Sequence, residues 1–361
     1  MTRIHEIVVE LTRAAICRTA PAAELFAGLT DGEWRAVFAE SARQGVMSLT
    51  YGSAMRLPGE LQPPFDTRMR WGVNAEHAAV KYEARMQAMR RLAGLFNAGG
   101  IKMLALKGYG LSLYYPARSQ RQFGDIDIWT FGRNDEANEI VRRCGIEVNR
   151  DNYKHDTYIF EKCCIESHRH FVGVRENDIN RRTEEILLTL ADGAKLAENE
   201  TNIYLPPEDF NALFLARHSS GHFARYSIKL RDLCDWALFL EHEINNIDTA
   251  STVAHLKECG LDTWVSVITD ICRTHLGLKA ALPLESRPEL CGRVFEDIMT
   301  FDNPLKHNYG PVKGLFARLG TLIGRRWCYG TVVPDTYAAT AAYIFRNRVV
   351  KPLMFTRKKR E

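Results

Sequence analysis

The stretch LALKGYGLSLYYPARSQRQFGDIDIW, Leu104 to Trp129, decides how the chain is read. Near its end Asp125 and Asp127 stand two residues apart in a short apolar run. Successive side chains of a β-strand alternate faces, so both carboxylates point one way and Ile126 and Ile128 the other. Neighbouring carboxylates repel and raise each other's pKa unless a cation lies between them. Oxygen-only ligands on a strand suit Mg²⁺ or Mn²⁺ better than zinc. An edge strand with a solvated polar face has the same alternation, so the D-x-D pair does not decide alone.

The flanking sequence adds to it. KMLALKG, ending at Gly108, reads as an earlier strand, and YGLSLYYPA reads as the opening of a helix. A glycine turn into a helix N-terminus offers unpaired N–H groups that suit phosphate. Lys107 places a mobile charge beside it, and Arg121, four residues before Asp125, supplies another. CCIESHRHF, Cys163 to Phe171, reads as a partner strand, the second arm of a hairpin with Asp156 to Phe160, and puts Glu166 and His168 on one face. Strand, glycine turn, helix and D-x-D strand is the layout of a metal-dependent phosphoryl or nucleotidyl transfer site.

Outward from this core the text is helical. Residues 1–95 read as an N-terminal helical lobe, with a Thr30/Glu33 cap, a helix over Ala42 to Met55, and a long helix from Phe65 to Asn97. The basic face of that last helix (Lys81, Arg85, Arg90, Arg91) suits a groove or plain solvent. Residues 96–200 hold strands at Ile101–Leu106, Gly124–Thr130 and Ile146–Asn149 as well as the hairpin. Residues 201–361 begin with a short strand, Asn202 to Leu205, and then return to helices. His218 and His222 share a helical face there, but Ser219 follows His218, so the H-E-x-x-H zinc pattern is absent. Arg231, Asp232 and Asp235 sit on the next helix, where they suit local ion pairs. The C-terminal tail carries Arg346, Arg348, Lys351 and a basic run at Arg357–Arg360. It reads as a solvated terminus, with anionic lipid or nucleic acid as the alternative.

The composition is that of an ordinary soluble protein: 361 residues, 46% hydrophobic, 25% charged, net charge +4. That mild charge does not by itself imply nucleic acid. Nine cysteines without a C-x-x-C pair suit a reducing, cytoplasmic setting. The charged N-terminus is unlike a signal peptide, and no apolar run is long enough to span a membrane.

The elements L-A-L-K-G (Leu104–Gly108), R-Q-F-G-D-I-D-I (Arg121–Ile128) and I-E-S-H (Ile165–His168) resemble those of an uncharacterised nucleotidyltransferase family within the DNA polymerase β-like superfamily. The resemblance implies an α+β fold, a small mixed β-sheet nucleotidyltransferase core flanked by N- and C-terminal helical lobes. It implies an NTP substrate and two Mg²⁺ (or Mn²⁺) ions held by Asp125, Asp127 and Glu166, with Glu166 available to take a proton. Lys107, Gly108 and Arg121 would bind the nucleotide. His168, His218, His222, Arg231 and Asp235 would be positioning or substrate contacts. The implied reaction moves an NMP to a hydroxyl or phosphate of an acceptor (small molecule, protein or RNA end) and releases pyrophosphate. The other reading is a nucleotide-binding regulatory or toxin–antitoxin-type protein with little turnover. Two departures stand out. Much of the superfamily has Gly-Ser where this chain has Lys107-Gly108, and Glu166 fills a place often held by aspartate.

Overall fold

The computed structural model describes residues 1–302 and 311–345. Four helices come first: α1 (Arg3–Ile16), α2 (Asp31–Arg43), α3 (Met47–Ala54) and α4 (Phe65–Ala98). The middle of the chain alternates β1 (Met103–Ala105), α5 (Gly108–Ser112), β2 (Ile126–Trp129), α6 (Asn134–Arg143), β3 (His155–Phe160), β4 (Cys163–His168), α7 (Asp178–Ala191), β5 (Lys195–Leu196) and β6 (Ile203–Leu205). Seven helices follow: α8 (Glu208–Tyr226), α9 (Leu230–Glu243), α10 (Thr249–Glu258), α11 (Asp262–Leu276), α12 (Pro288–Thr300), α13 (Pro311–Gly324) and α14 (Tyr337–Phe345). Among the described residues no helix is long and apolar enough to cross a membrane. The basic tail residues from Arg346 onward lie outside the described residues.

The strands form one mixed sheet in the order β3-β4-β2-β1-β6-β5. β2 runs parallel to β4 and antiparallel to β1, and β6 pairs parallel with β1. The α+β class is therefore as expected, and β6, from beyond residue 200, pairs between β1 and the edge strand β5. One face carries Met103, Ala105, Ile126, Ile128 and Ile165, which share a core with Met89, Leu92 and Phe96 of α4 and Val141 of α6. The other carries Leu104 and Trp129, buried with Phe171 and with Phe210 and Phe214 of α8. Period-two alternation puts Asp127 on this second face, under α8.

The helices on the α8 side form one body from both ends of the chain. Gln44 Nε2 donates to the Ile298 carbonyl, and its Oε1 accepts from the Leu230 N–H. Arg43 bridges Glu40 to the carbonyls of Met299 and Phe301. The Thr30 cap forms as expected, with Thr30 and Glu33 exchanging side-chain-to-backbone bonds.

Several boundaries differ from the sequence reading. The helix expected over Ala42–Met55 is broken, because Gly45 adopts φ +72 between α2 and α3. The expected strand at Ile146–Asn149 reduces to a single bridge, Asn149 to Thr157. β1 and β2 are shorter than expected. Asp125 lies in a bend just before β2, off the ladder that begins at Ile126.

Candidate active site

Strand register builds the site. In the β2–β4 ladder Asp127 lies opposite Glu166 and Trp129 opposite His168; in the β3–β4 ladder His155 lies opposite His168. One row of the sheet thus brings Asp127 and Glu166 together, and the next brings His155 and His168 beside them.

Asp127 is the junction. Its Oδ1 lies 3.0 Å from Lys107 Nζ and 3.0 Å from His168 Nε2. Burial alone would raise its pKa, but the charges around it, the Lys107 ammonium foremost, outweigh burial and hold the carboxyl well below the usual range. Glu166 moves the other way: burial, and then the Asp127 charge, push it up. Its Oε2 lies 4.0 Å from His168 Nε2 and 3.6 Å from His155 Nδ1.

Lys107 reaches Asp127 from a strained backbone. It adopts φ +49 and ψ −106 directly before α5. The sequence had pointed to Gly108 as the turn residue. Instead Gly108 opens the five-residue helix, and its missing side chain makes room for Phe123, whose Cδ2 would sit 3.2 Å from a Cβ. A non-glycine residue in such a conformation persists only where its surroundings over-determine it, a pattern common at functional sites.

His168 bears directly on metal binding. It is fully enclosed, with Nδ1 3.1 Å from the His170 carbonyl oxygen and Nε2 3.0 Å from Asp127 Oδ1, two acceptors that a neutral imidazole with one N–H cannot both satisfy. One lone pair therefore faces an oxygen, and with Nδ1 donating to the carbonyl it is the Nε2 lone pair that faces the Asp127 carboxylate, acceptor against acceptor. Burial lowers the His168 pKa even though Asp127 works to raise it, so a second proton is disfavoured. A cation held between Nε2 and Oδ1 resolves the opposition, and a histidine donating its other nitrogen to a carbonyl is the usual arrangement of a metal ligand. Ligand atoms of His155, Glu166 and His168 all lie within 4.8 Å of one another. The residues present therefore fit a divalent metal, with a mixed nitrogen and oxygen donor set in place of the oxygen-only set expected.

A cavity of about 380 Å³ covers these groups, and all eleven residues singled out in the sequence line it: Lys107, Gly108, Arg121, Asp125, Asp127, Glu166, His168, His218, His222, Arg231 and Asp235. Their partners differ from those expected. Arg121, read as a nucleotide-binding charge, is buried and bound bidentately to Asp235 of α9, Nε to Oδ1 at 2.8 Å and Nη2 to Oδ2 at 2.7 Å. Tyr115 donates to the same carboxylate. Arg231 pairs with Asp232 and donates to the Gln122 carbonyl. Asp125 accepts from the Cys164 thiol, which burial and then that carboxylate push up to about 11.

Lys154 and His155 also line the cavity and were missed in the sequence. Burial, and then the neighbouring Lys107 charge, push Lys154 down to about 8. Both residues stand where β3 begins, beside a polar N-Y-K-H run that carries no distinctive spacing.

Residues 30–277 match a family described as uncharacterised nucleotidyltransferases. The chain belongs to that family. No curated protein and no solved structure matches it. The matched span takes in α2 through α11, and so the whole sheet and every residue around the cavity.

The histidines of α8 make stability pH-dependent. Burial, and then the Lys107 charge, lower His222 from 6.5 to about 4, with Asp232 opposing; His218 is lowered by the same two causes. A histidine depressed in the folded state binds its proton more readily when unfolded, so its contribution is complete above 6.5 and fades as pH falls toward 4. The melting temperature is expected to drop between pH 7.5 and 5, and less steeply in His222→Gln. Scanning calorimetry across that range checks this, and equal slopes for the two proteins would refute it.

Proposed function

We propose that this nucleotidyltransferase is metal-dependent and moves an NMP from an NTP to a hydroxyl or phosphate of an acceptor, releasing pyrophosphate. The observation that carries this reading is that the Asp127 and Glu166 carboxylates, opposite one another in the β2–β4 ladder, lie 3.0 and 4.0 Å from His168 Nε2 in a cavity that also holds Lys107 and Lys154. Two carboxylates beside one imidazole nitrogen suit a divalent cation, and two ammonium groups beside them suit a polyphosphate. Asp127, Glu166 and His168, with Asp125 at the rim, would hold the metal. When bound, it supplies charge neutralisation for the phosphates and acidifies the acceptor hydroxyl.

The chain's own residues do the rest. His168, fixed by its bond to the His170 carbonyl, orients Nε2. Glu166 takes the proton leaving the acceptor oxygen as that oxygen attacks the α-phosphate. Lys107 and Lys154 stabilise the charge that grows on departing pyrophosphate. The imidazole donor makes Mn²⁺ a better fit than Mg²⁺. All nine cysteines are free thiols, which suits a reducing, cytoplasmic setting.

NTP binding is expected with Mn²⁺, more weakly with Mg²⁺, and not with EDTA. Pyrophosphate release is then followed against hydroxylated small molecules, proteins and RNA ends. Absence of NTP binding with either metal refutes the proposal. Tight metal-dependent binding with no release against any acceptor class would favour the regulatory binder instead.

A further inference from the structure

On α8, Phe214, His218, His222 and Tyr226 follow one another at intervals of four and share a face. Their rings run in file, with centroids 6.0, 4.4 and 6.4 Å apart. The file begins at the catalytic end, where Lys107 Nζ lies 5.8 Å from the Phe214 ring centroid. His218 and His222 form part of the wall shared by the catalytic cavity and a second one of about 250 Å³, which Tyr226 also lines. Among the described residues neither imidazole and not the Tyr226 hydroxyl has a hydrogen-bond partner, and His222 and Tyr226 are exposed, so their ring faces and polar edges are open to a ligand.

The free chemistry of this wall is neutral. The cations that border the second cavity are already engaged: Arg43 with Glu40, Arg231 with Asp232, and Lys229 with a partner of its own. What remains is a run of π faces with hydrogen-bonding edges, leading away from the lysines that suit a polyphosphate. Phe123, another aromatic lining the catalytic cavity, packs against Gly108, Tyr82 and Arg85.

We propose that His218, His222 and Tyr226 form the nucleobase platform of the bound NTP, its phosphates at Lys107 and Lys154 and its base laid along α8 toward the second cavity. This rests on the reading that the site binds an NTP. Every base has a π face, so stacking is tolerant of base identity, and no unpaired charge on the platform selects one. ATP, GTP, CTP and UTP are therefore expected to bind within a few-fold of one another.

The test compares ATP with inorganic tripolyphosphate, each titrated calorimetrically in Mn²⁺. In the double variant His222→Ala/Tyr226→Ala, ATP affinity should fall about tenfold or more, the size of a lost stacking contact. Tripolyphosphate affinity should stay unchanged. His222→Phe, which keeps a ring face, should bind ATP within about threefold of wild type. Thermal melts of each variant establish that it is folded. If the folded double variant binds ATP as wild type does, the platform is refuted and the stripe is left to the acceptor. If it loses ATP and tripolyphosphate equally, the platform is also refuted, because the damage lies at the phosphate end. If wild type binds neither ligand, the nucleotidyltransferase reading itself has failed.

Discussion

Asp127→Asn is expected to lower NTP turnover at least about a hundredfold, the size of loss seen when one preorganised electrostatic group is removed from an active site. The substitution keeps shape and removes charge. Both contacts meet at Oδ1, so the asparagine amide keeps one of them in neutral form: its oxygen there accepts from Lys107, or its NH2 there donates to His168 Nε2. What disappears is the opposition between a lone pair and a carboxylate that calls for a cation. The variant should therefore fold and lose metal-dependent NTP binding together with turnover. Some stability goes with the charge, because Lys107 keeps its ammonium in a partly buried place without a counter-charge. The carboxylate's folded pKa is depressed, so that contribution is present above 3.8 and is lost in acid as pH falls through the lower folded value. Metal titration by calorimetry and a pyrophosphate assay check the prediction. Turnover within threefold of wild type would remove Asp127 from the reaction.

Much of this site was legible in the sequence because β-strand chemistry is local. Alternation puts Asp127 and Glu166 on defined faces, and hairpin patterning puts Glu166 and His168 on one strand. Register is not local. That Asp127 meets Glu166 and that His155 meets His168 follows from which strands are neighbours, and no spacing in the chain encodes it. Lys154 was missed for this reason, since its importance comes from a neighbourhood assembled by distant segments. The turn at Lys107 was misplaced by one residue because glycine is the usual bearer of a positive φ, and here tertiary contacts hold a lysine there instead. α7 went unread although its signals were present, with Asn177 capping the Asn180 N–H and Ile179, Thr183, Ile186 and Leu187 at helical spacing. The ion pairs of α9 show the same limit. Arg231, Asp232 and Asp235 read as one local network, yet Asp235 turns away to a residue more than a hundred positions earlier.

That long-range pair gives the largest stability effect expected. Arg121 and Asp235 are each almost fully buried and joined by two short hydrogen bonds, and they tie the loop before β2 to α9. Removing one partner strands the other as an uncompensated charge, which costs about 3–5 kcal/mol. Arg121→Met and Asp235→Leu should each shift the urea midpoint downward by that equivalent. The double variant Arg121→Met/Asp235→Leu should recover a large part of it, since an apolar pair of similar volume leaves no charge behind. Recovery stays incomplete because the Tyr115 hydroxyl, 2.7 Å from the same carboxylate, loses its acceptor. These variants also separate two roles for Arg121. If its guanidinium holds the two helical parts in place around the site, single variants lose stability and the double variant regains NTP binding along with the fold. If it grips phosphate, Arg121→Met melts like wild type, binds NTP at least about tenfold more weakly, and gains nothing from the second substitution. The bidentate geometry at Asp235 favours the first outcome, because a guanidinium with both of those nitrogens engaged has little left to offer an incoming phosphate.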